Sequence, residues 1–433
     1  MRRVQRCAYA VLVAALCVVV APGQAQATPG PPAAPEYWFD TWHLTSLYAR
    51  GATGRGITIG EIDTGVNAAL PELRGRVLSG TDFGQHGNGQ VDREVDGFGH
   101  GTAMASIMVA RRGLLGITGM APDARILPIA VPLDGTTDEN RPDDLPGAIR
   151  YAADHGAKII SMSLGSQRTP SADSEPCPDD EQAAIYDALR KGSIVVAAVG
   201  NTGPSRNVVE EPGVCLGVVS VGALDQRGAL ASFSTRQPYL TLTAPGVAVP
   251  SLGRTAGQAY SGKGTSQATA IVSAALALVW SKFPALSGDQ IVARMLATLD
   301  DRRATPSSTY GYGKLDTNQA VTAHVPANAP DPVAAAAAPF IARQKVLAHS
   351  GLGPAPRRAT QQLPMGTFHV GSTSNADTEL LIGLGMSIGG LILLVSLLAI
   401  GLVGPPRRRQ FVGAAGPGQP RDDGGTGQPG PAA

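Results

Sequence analysis

The sequence has little net charge, because 35 lysines and arginines are balanced by 34 aspartates and glutamates, which leaves +1 at pH 7. Proteins that bind polyanions carry a marked excess of basic residues, so we expect no nucleic-acid partner. Cysteine is scarce as well, with four residues in a chain of 433. This length is sufficient for one large domain with accessory segments.

The first 27 residues have the pattern of an export signal. Three arginines precede an apolar run over residues 7–21, and an Ala-Gln-Ala cleavage pattern ends at Ala27. We therefore predict a signal peptide over residues 1–27 and a short proline-rich lead over residues 28–36. An uncleaved membrane anchor is the alternative, although the apolar run is short for a span.

Cleavage of the signal would remove two of the cysteines and leave Cys177 and Cys215 in a compartment that permits oxidation. We predict a disulfide between them. It would close a loop of about 39 residues, worth about 4 kcal/mol in the chain-entropy model. Two unpaired structural thiols are the alternative.

A membrane span is predicted near the C-terminus, where residues 380–403 form a run of 24 residues without a charge. As a helix this run is about 36 Å long, enough to cross a hydrocarbon core of about 30 Å. Three arginines follow it at residues 407–409, so the positive-inside rule places the disordered tail, residues 404–433, in the cytoplasm. We expect the helix to contact membrane lipid and the bulk of the chain to be extracytoplasmic.

Residues 37–325 have the alternating pattern of an α/β domain. Buried-strand patterns alternate with helical ones, which indicates a mostly parallel sheet covered on both faces. The predicted strands are residues 57–62, 126–131, 158–164, 194–199 and 216–224. The predicted helices are residues 145–155, 181–190 and 265–283, and another that begins at Ser287 with a capping box. Residues 326–379, rich in alanine and proline, are predicted to form a linker that contains a short helical pattern.

Three motifs carry polar residues of complementary chemistry. Asp63 ends the first predicted strand, where α/β sheets place their sites, although an Asp before Thr and Gly also forms turns. His100 stands between glycines at the start of a predicted helix, where a lone histidine would be structural or exposed. Ser266 follows a glycine-rich loop at the N-terminus of the apolar helix, where free N–H groups and the helix dipole favour negative charge.

These three residues together supply the parts of an acyl-transfer catalyst. A serine hydroxyl is a poor nucleophile until a base takes its proton, and a neutral imidazole such as that of His100 is suited to this near pH 7. Asp63 would hold the imidazole tautomer and stabilise the cation that forms. We expect activity to rise as an ordinary histidine loses its proton, at about pH 6 to 7.

The motifs IDTGV, HGT and GTSQA, in the order Asp, His, Ser, resemble the signature blocks of the subtilisin-like serine proteases, the subtilases or peptidase S8 family. The resemblance implies a doubly wound α/β catalytic domain over residues 37–325 that hydrolyses polypeptide substrates without a cofactor. It also implies that Asn201 donates to the oxyanion and that Ser163, Leu164 and Gly165 lie beside the substrate backbone.

The layout of the chain resembles that of the mycosins, the membrane-anchored subtilases of actinobacterial type VII secretion systems. The shared features are the export signal, the linker, the single C-terminal helix and the short distance from Ala27 to Tyr37, which leaves no room for an inhibitory prodomain of the common kind. This implies processing of secretion substrates and contact with secretion-system membrane proteins. A general degradative subtilase on the cell surface, or a scaffold of a secretion complex with dispensable protease activity, would have the same layout.

A calcium loop is a further alternative, because hard oxygen ligands cluster with glycines at Asp82, Asn88, Asp92 and Asp96. Their spacing does not match an EF-hand, and a solvated acidic loop accounts for the same residues. Subtilases often carry calcium, but we assign no metal site from the sequence.

Overall fold

The structure, a computed structural model, describes residues 36–94, 97–132, 145–167 and 177–349. The predicted signal peptide, the predicted transmembrane helix and the predicted cytoplasmic tail lie outside the described residues. Within the described ranges, no helix is both long enough and apolar enough to cross a membrane.

A seven-stranded sheet forms the centre of the domain, and every pairing between its neighbouring strands is parallel. In the described part of the chain the strands are β1 (Thr58–Asp63), β2 (Thr81–Asp82), β3 (Arg125–Ala130), β4 (Ile159–Met162), β5 (Ser166–Gln167), β6 (Ile194–Ala198), β7 (Glu210–Glu211), β8 (Val218–Leu224), β9 (Leu242–Pro245), β10 (Val249–Leu252) and β11 (Ala259–Gly262). The order across the sheet is β2-β3-β1-β4-β6-β8-β9. Two antiparallel pairs, β5 with β7 and β10 with β11, lie apart from it.

Helices cover both faces of this sheet. The helices of the described ranges are α1 (Trp38–Thr41), α2 (Leu44–Ala49), α3 (His100–Val109), α4 (Leu145–Asp154), α5 (Asp179–Arg190), α6 (Thr265–Lys282), α7 (Gly288–Ala297), α8 (Thr317–Thr322) and α9 (Pro332–His349). Residues of α3, α6 and α7 pack into one hydrophobic core, whereas residues of α4 and α5 pack into a second. The predicted α/β fold with a parallel sheet is therefore confirmed.

The burial of these elements explains why their patterns could be recognised. All four residues of β4 and all five of β6 are buried, as expected for strands covered on both faces. The central helix α6 is buried from Thr265 to Trp280 on every side, so its sequence is apolar without a polar face. The capping box is present, because Ser287 accepts from the N–H of Gln290 while the Gln290 side chain accepts from the N–H of Ser287.

The predicted disulfide between Cys177 and Cys215 is present, with the two Cα atoms 4.9 Å apart. It joins the loop before α5 to the loop before β8. Both half-cystines are buried in the second core, so the bond closes a segment that already packs against the sheet.

Other elements had no clear signal in the sequence. The edge strands β2 and β9 have the sequences Thr-Asp and Leu-Thr-Ala-Pro, so polar residues and a proline leave no continuous apolar run. The helix α9 lies inside the predicted linker and has 18 residues, and its Ala337 is buried. The ring of Phe340 in this helix lies 6.3 Å from that of Tyr186 in α5, edge to face, so α9 packs against the domain.

Candidate active site

The end of β1 and the start of α3 bring Asp63 and His100 together. Nδ1 of His100 lies 2.8 Å from Oδ1 and 3.0 Å from Oδ2 of Asp63. Both side chains are buried, so the contact is shielded from water. Nε2 of His100 is buried and has no hydrogen-bond partner in the described part of the chain. Asp63 thus holds the ring through Nδ1, and Nε2 is available to accept a proton.

Asp92 fixes the two backbone segments that carry this pair. One of its oxygens accepts from Oγ1 of Thr64 at 2.9 Å, and the other accepts from the N–H and the hydroxyl of Thr102 at 2.8 and 2.6 Å. Thr64 in turn accepts from the N–H of Gly101 at 2.9 Å. The turn after β1 and the first turn of α3 are therefore held to each other by these hydrogen bonds.

The charges around His100 favour its protonated form. Glu94 accepts hydrogen bonds from the N–H groups of Gly99 and His100, at 2.7 and 2.9 Å, at the N-terminus of α3. Burial lowers the pKa of His100, but the charge and hydrogen bond of Asp63 and the charges of Glu94 and Asp92 act against burial and leave this pKa above its ordinary value of 6.5. A base of this kind is stronger than a free imidazole.

Ser266 lies in the first turn of α6, in contact with the segment that follows β4. Its Oγ donates to the carbonyl oxygen of Ser163 at 2.9 Å, and Oγ of Ser163 donates to the carbonyl oxygen of Ser266 at 3.0 Å. No hydrogen bond joins Oγ of Ser266 to His100 in the described structure. The structure thus brings Asp63 to His100, while the hydroxyl of Ser266 is paired with Ser163.

Asn201 lies on the other side of the same helix terminus. Its Oδ1 accepts from the N–H of Thr265 at 2.9 Å and from Oγ1 of Thr265 at 3.0 Å. Because Oδ1 is used in this way, the amide group Nδ2 is turned away from Thr265 and is the donor that remains. Asn201 follows β6 just as Ser163 follows β4, so both lie at the carboxyl edge of the sheet.

The remaining residues of the predicted substrate segment differ in their surroundings. The side chain of Leu164 is buried in the second core, so only its backbone is placed to meet a peptide. Gly165 lies against the carboxyl group of Glu210. Sequence reasoning did not identify Glu210, because nothing in its local pattern distinguishes it from a surface glutamate.

Three of the residues considered as calcium ligands have partners within the chain. Asp82 pairs with Arg93 at 3.1 Å, and Oδ1 of Asn88 accepts from the N–H of Gln90 at 3.2 Å. Asp92 makes the contacts described above, and Asp96 lies outside the described residues. We assign no metal to this loop.

A cavity of about 560 Å³ opens at the far end of α6, where Lys282 and Phe283 contribute to its lining. About 24 Å of helix separates Lys282 from Ser266. The cavity is therefore separate from the group of residues at the carboxyl edge of the sheet.

The model of the subtilase family matches residues 54–313, which include Asp63, His100 and Ser266. The chain belongs to the subtilase family. It is accordingly a subtilisin-like serine protease, a hydrolase that acts on polypeptides.

Characterised relatives agree with this assignment. The thermophilic serine proteinase of Bacillus sp. (strain AK1) is 36% identical over 288 residues, which cover 65% of this chain and 64% of that proteinase. The chain thus spans somewhat less than two thirds of the length of this relative. Subtilisin DY of Bacillus licheniformis is 32% identical over 278 residues, which cover 63% of this chain and 94% of the subtilisin.

Among solved structures, the chain is similar to the MycP3 protease from the type VII (ESX-3) secretion system. The two share 29% sequence identity and superpose with a TM-score of 0.57, over 69% of this chain and 92% of MycP3. This subtilase therefore has a structural neighbour among the mycosins.

Proposed function

We propose that this subtilase is a membrane-anchored, extracytoplasmic serine endopeptidase that cuts peptide bonds through an acyl-enzyme formed on Ser266. The observation that carries the proposal is the imidazole of His100, which is bonded to Asp63 through Nδ1, whereas its buried Nε2 has no partner among the described residues. A base held in this way has one free lone pair for a proton. Ser266 supplies the hydroxyl, on the first turn of α6.

The hydroxyl of Ser266 turns from Ser163 toward Nε2 of His100 when a substrate is bound, since a side-chain rotation of serine changes its partner without moving the helix. Nε2 takes the hydroxyl proton as Oγ forms a bond to the carbonyl carbon of the substrate. His100 then returns that proton to the leaving amine as the C–N bond breaks. Water adds to the acyl carbon, gives a proton to Nε2, and releases the acid with the proton restored to Ser266.

Negative charge on the substrate oxygen is stabilised by two donors at the same helix terminus. We expect Nδ2 of Asn201, whose Oδ1 is held by Thr265, and the backbone N–H of Ser266 to donate to this oxygen, and the positive end of the α6 dipole adds to them. No metal or cofactor takes part in these steps.

The place of action is proposed from the sequence and from the structural neighbour. The predicted export signal and the apolar run over residues 380–403 support a single-pass protein with its catalytic domain outside the membrane. The neighbour MycP3 belongs to a type VII secretion system, which supports the processing of secretion substrates and contact with secretion-system membrane proteins.

A serine-directed fluorophosphonate probe tests the proposed chemistry in the full chain. The probe should label the wild-type protein on Ser266, and the variants Ser266→Ala and His100→Ala should lose the label while keeping the same thermal unfolding temperature. Strong labelling of the folded His100→Ala variant would contradict the assigned base. In cells, survival of secretion in the Ser266→Ala variant would favour the scaffold role over substrate processing.

A further inference from the structure

A buried carboxyl group lies beside the two segments that flank Ser266. Glu210 begins β7 and is 5% exposed. Its N–H donates to the hydroxyl of Tyr239 at 3.0 Å, and its carbonyl oxygen accepts from the N–H of Val214 at 3.0 Å. The backbone of Glu210 is therefore held by contacts that do not occupy the oxygens of its side chain.

Two glycines make room for this carboxyl group. A Cβ atom at Gly200 would lie 2.2 Å from Cδ and Oε1 of Glu210, and one at Gly165 would lie 3.0 Å from Oε2. Gly200 comes directly before Asn201, and Gly165 comes two residues after Ser163. Since β4 and β6 are paired in the sheet, the carboxyl group lies between the two loops that contact the start of α6.

The carboxyl group of Glu210 has no ion-pair partner in the described part of the chain. Its hydrogen bond comes from Oγ1 of Thr202, 3.4 Å from Oε1, which is long for such a bond. Burial raises the pKa of Glu210 to about 7, while the bond from Thr202 and the charge of the exposed Arg206 lower it. Among the described residues, the titratable hydroxyl of Tyr239 also lies near Glu210, because it accepts from the Glu210 N–H. A buried carboxylate with so few partners is costly and would be stabilised by a cation.

We infer that Glu210 binds the side chain of a lysine or arginine in the substrate, at the residue whose carbonyl group Ser266 attacks. This inference rests on the proposed function and names the substrate class of the same site. Ser163 contacts Ser266, and Gly165 is two residues further along the chain. The Cα atoms of Gly165 and Ser163 therefore lie within about 7 Å of each other. A long side chain with a terminal charge spans such a distance, with its apolar stem against the backbone of the two loops.

Peptides that differ only at this residue test the inference. At about pH 8 the wild-type protein should cleave arginine and lysine peptides with a kcat/KM at least about 10-fold higher than glutamine and leucine peptides. The Glu210→Gln variant keeps the shape of the side chain and removes its charge, so the ratio of arginine to glutamine cleavage should fall about 10- to 100-fold. The matched control is Glu211→Gln, which removes a charge at the next position and should change this ratio less than about twofold.

The pH dependence of the same ratio gives a second readout. Between about pH 6 and pH 8 the preference for arginine over glutamine should increase, because Glu210 ionises in this range. The titration of His100 affects both peptides alike and cancels in the ratio. In the Glu210→Gln variant the ratio should be flat across this range.

Two outcomes would overturn the inference while the proposed function stands: cleavage without preference for basic residues, or an equal loss for all peptides in Glu210→Gln. A failure of the proposed function looks different, since the protein would then neither cleave any peptide nor react with the fluorophosphonate probe. The inference can be tested even in that case, by measuring binding of the arginine and leucine peptides to the Ser266→Ala variant. Equal affinity for both peptides would overturn it.

Discussion

Nδ1 of His100 lies 2.8 Å from Oδ1 of Asp63, and both side chains are shielded from solvent. Asp63 ends a strand and His100 begins a helix, so two rigid elements rather than flexible loops hold the pair. The bonds from Thr64 and Thr102 to Asp92 fix the same two segments a second time. The orientation of the imidazole is therefore set before any substrate binds, which lowers the entropic cost of catalysis.

Replacement of Asp63 by asparagine should abolish most of the activity. The Asp63→Asn side chain keeps its shape but can hold His100 in the wrong tautomer, which costs about 10⁴-fold in kcat in a serine protease of the trypsin type. We expect a loss of this size, measured as kcat on a peptide substrate, with unchanged near-ultraviolet circular dichroism. A loss below about tenfold would mean that Asp63 does not orient the base.

The pH profile of the enzyme should reflect the raised pKa of His100. An ordinary histidine predicts a rise in activity at about pH 6 to 7, but the charges of Asp63, Glu94 and Asp92 stabilise the imidazolium in the folded protein. Since only neutral His100 accepts the serine proton, kcat/KM should reach its half-maximum above pH 6.5. The measurement uses the Glu210→Gln variant with a leucine peptide, so that the ionisation of Glu210 does not contribute to the profile. A midpoint at or below 6.5 would contradict the assigned environment.

Asn201 should contribute to the rate and little to substrate binding. In the Asn201→Ala variant we expect kcat to fall about 10²- to 10³-fold with KM nearly unchanged, a magnitude known from subtilisin itself. Asn201→Asp is the matched control, because its carboxylate still accepts from Thr265 but has no N–H to donate. It should lose at least as much activity as the alanine variant. Full activity of Asn201→Asp would show that only the contact to Thr265 matters.

The centre of the fold could be predicted from the sequence because its elements are buried on all sides. The strands β1, β4 and β6 and the helix α6 are apolar runs with clear ends, and the predicted bounds differ from the observed ones by three residues or fewer. The short edge strand β2 and the pairs β5–β7 and β10–β11 carry no such pattern, since their polar, proline and glycine residues leave no continuous apolar run.

The site could be predicted only where a motif contains its residues. Asp63, His100 and Ser266 stand in motifs with fixed neighbours, which makes each of them recognisable in the chain. Glu210 has no motif, and its proximity to Gly165 and Gly200 depends on the pairing of strands far apart in sequence. The position of such a carboxylate in a site can be recognised only from the folded structure, which shows its neighbours.

The helix α9 should contribute to the stability of the domain although it lies in the predicted linker. Ala337 is 2% exposed, and its Cβ would lie 3.3 Å from a Cβ at Gly217. The Ala337→Asp variant would bury a carboxylate there, so we expect the free energy of unfolding to fall by about 2 to 3 kcal/mol in chemical denaturation. The neighbouring Ala336 is exposed, and Ala336→Asp should change the free energy of unfolding by less than about 0.5 kcal/mol. Equal free energies of unfolding for the two variants would mean that residues 332–349 behave as a linker.

Glu61 should limit the stability of the protein at neutral and alkaline pH. It lies in β1 two residues before Asp63, is 2% exposed, and neither carboxyl oxygen has a hydrogen-bond partner in the described structure. Burial, followed by the charges of Asp63 and Asp92, raises its pKa well above 4.5, with the backbone of Ala105 acting weakly in the opposite direction. Folded Glu61 is therefore neutral at pH values where the unfolded chain has lost this proton.

The pKa of Glu61 is higher in the folded protein than in the unfolded chain. The contribution of Glu61 to the free energy of unfolding is therefore most favourable below about pH 4.5, and it is lost progressively as the pH rises toward the folded pKa. The variants Glu61→Gln and Glu61→Met both remove this titration, so their stability relative to wild type should increase with pH, by at most about 1.4 kcal/mol per pH unit. Denaturant unfolding of the three proteins between about pH 5 and pH 8 gives the slope. Glu61→Met should also be the more stable variant at every pH, since it leaves no polar group unpaired between β1 and α3. Parallel curves for all three proteins would mean that Glu61 is already ionised in the folded state.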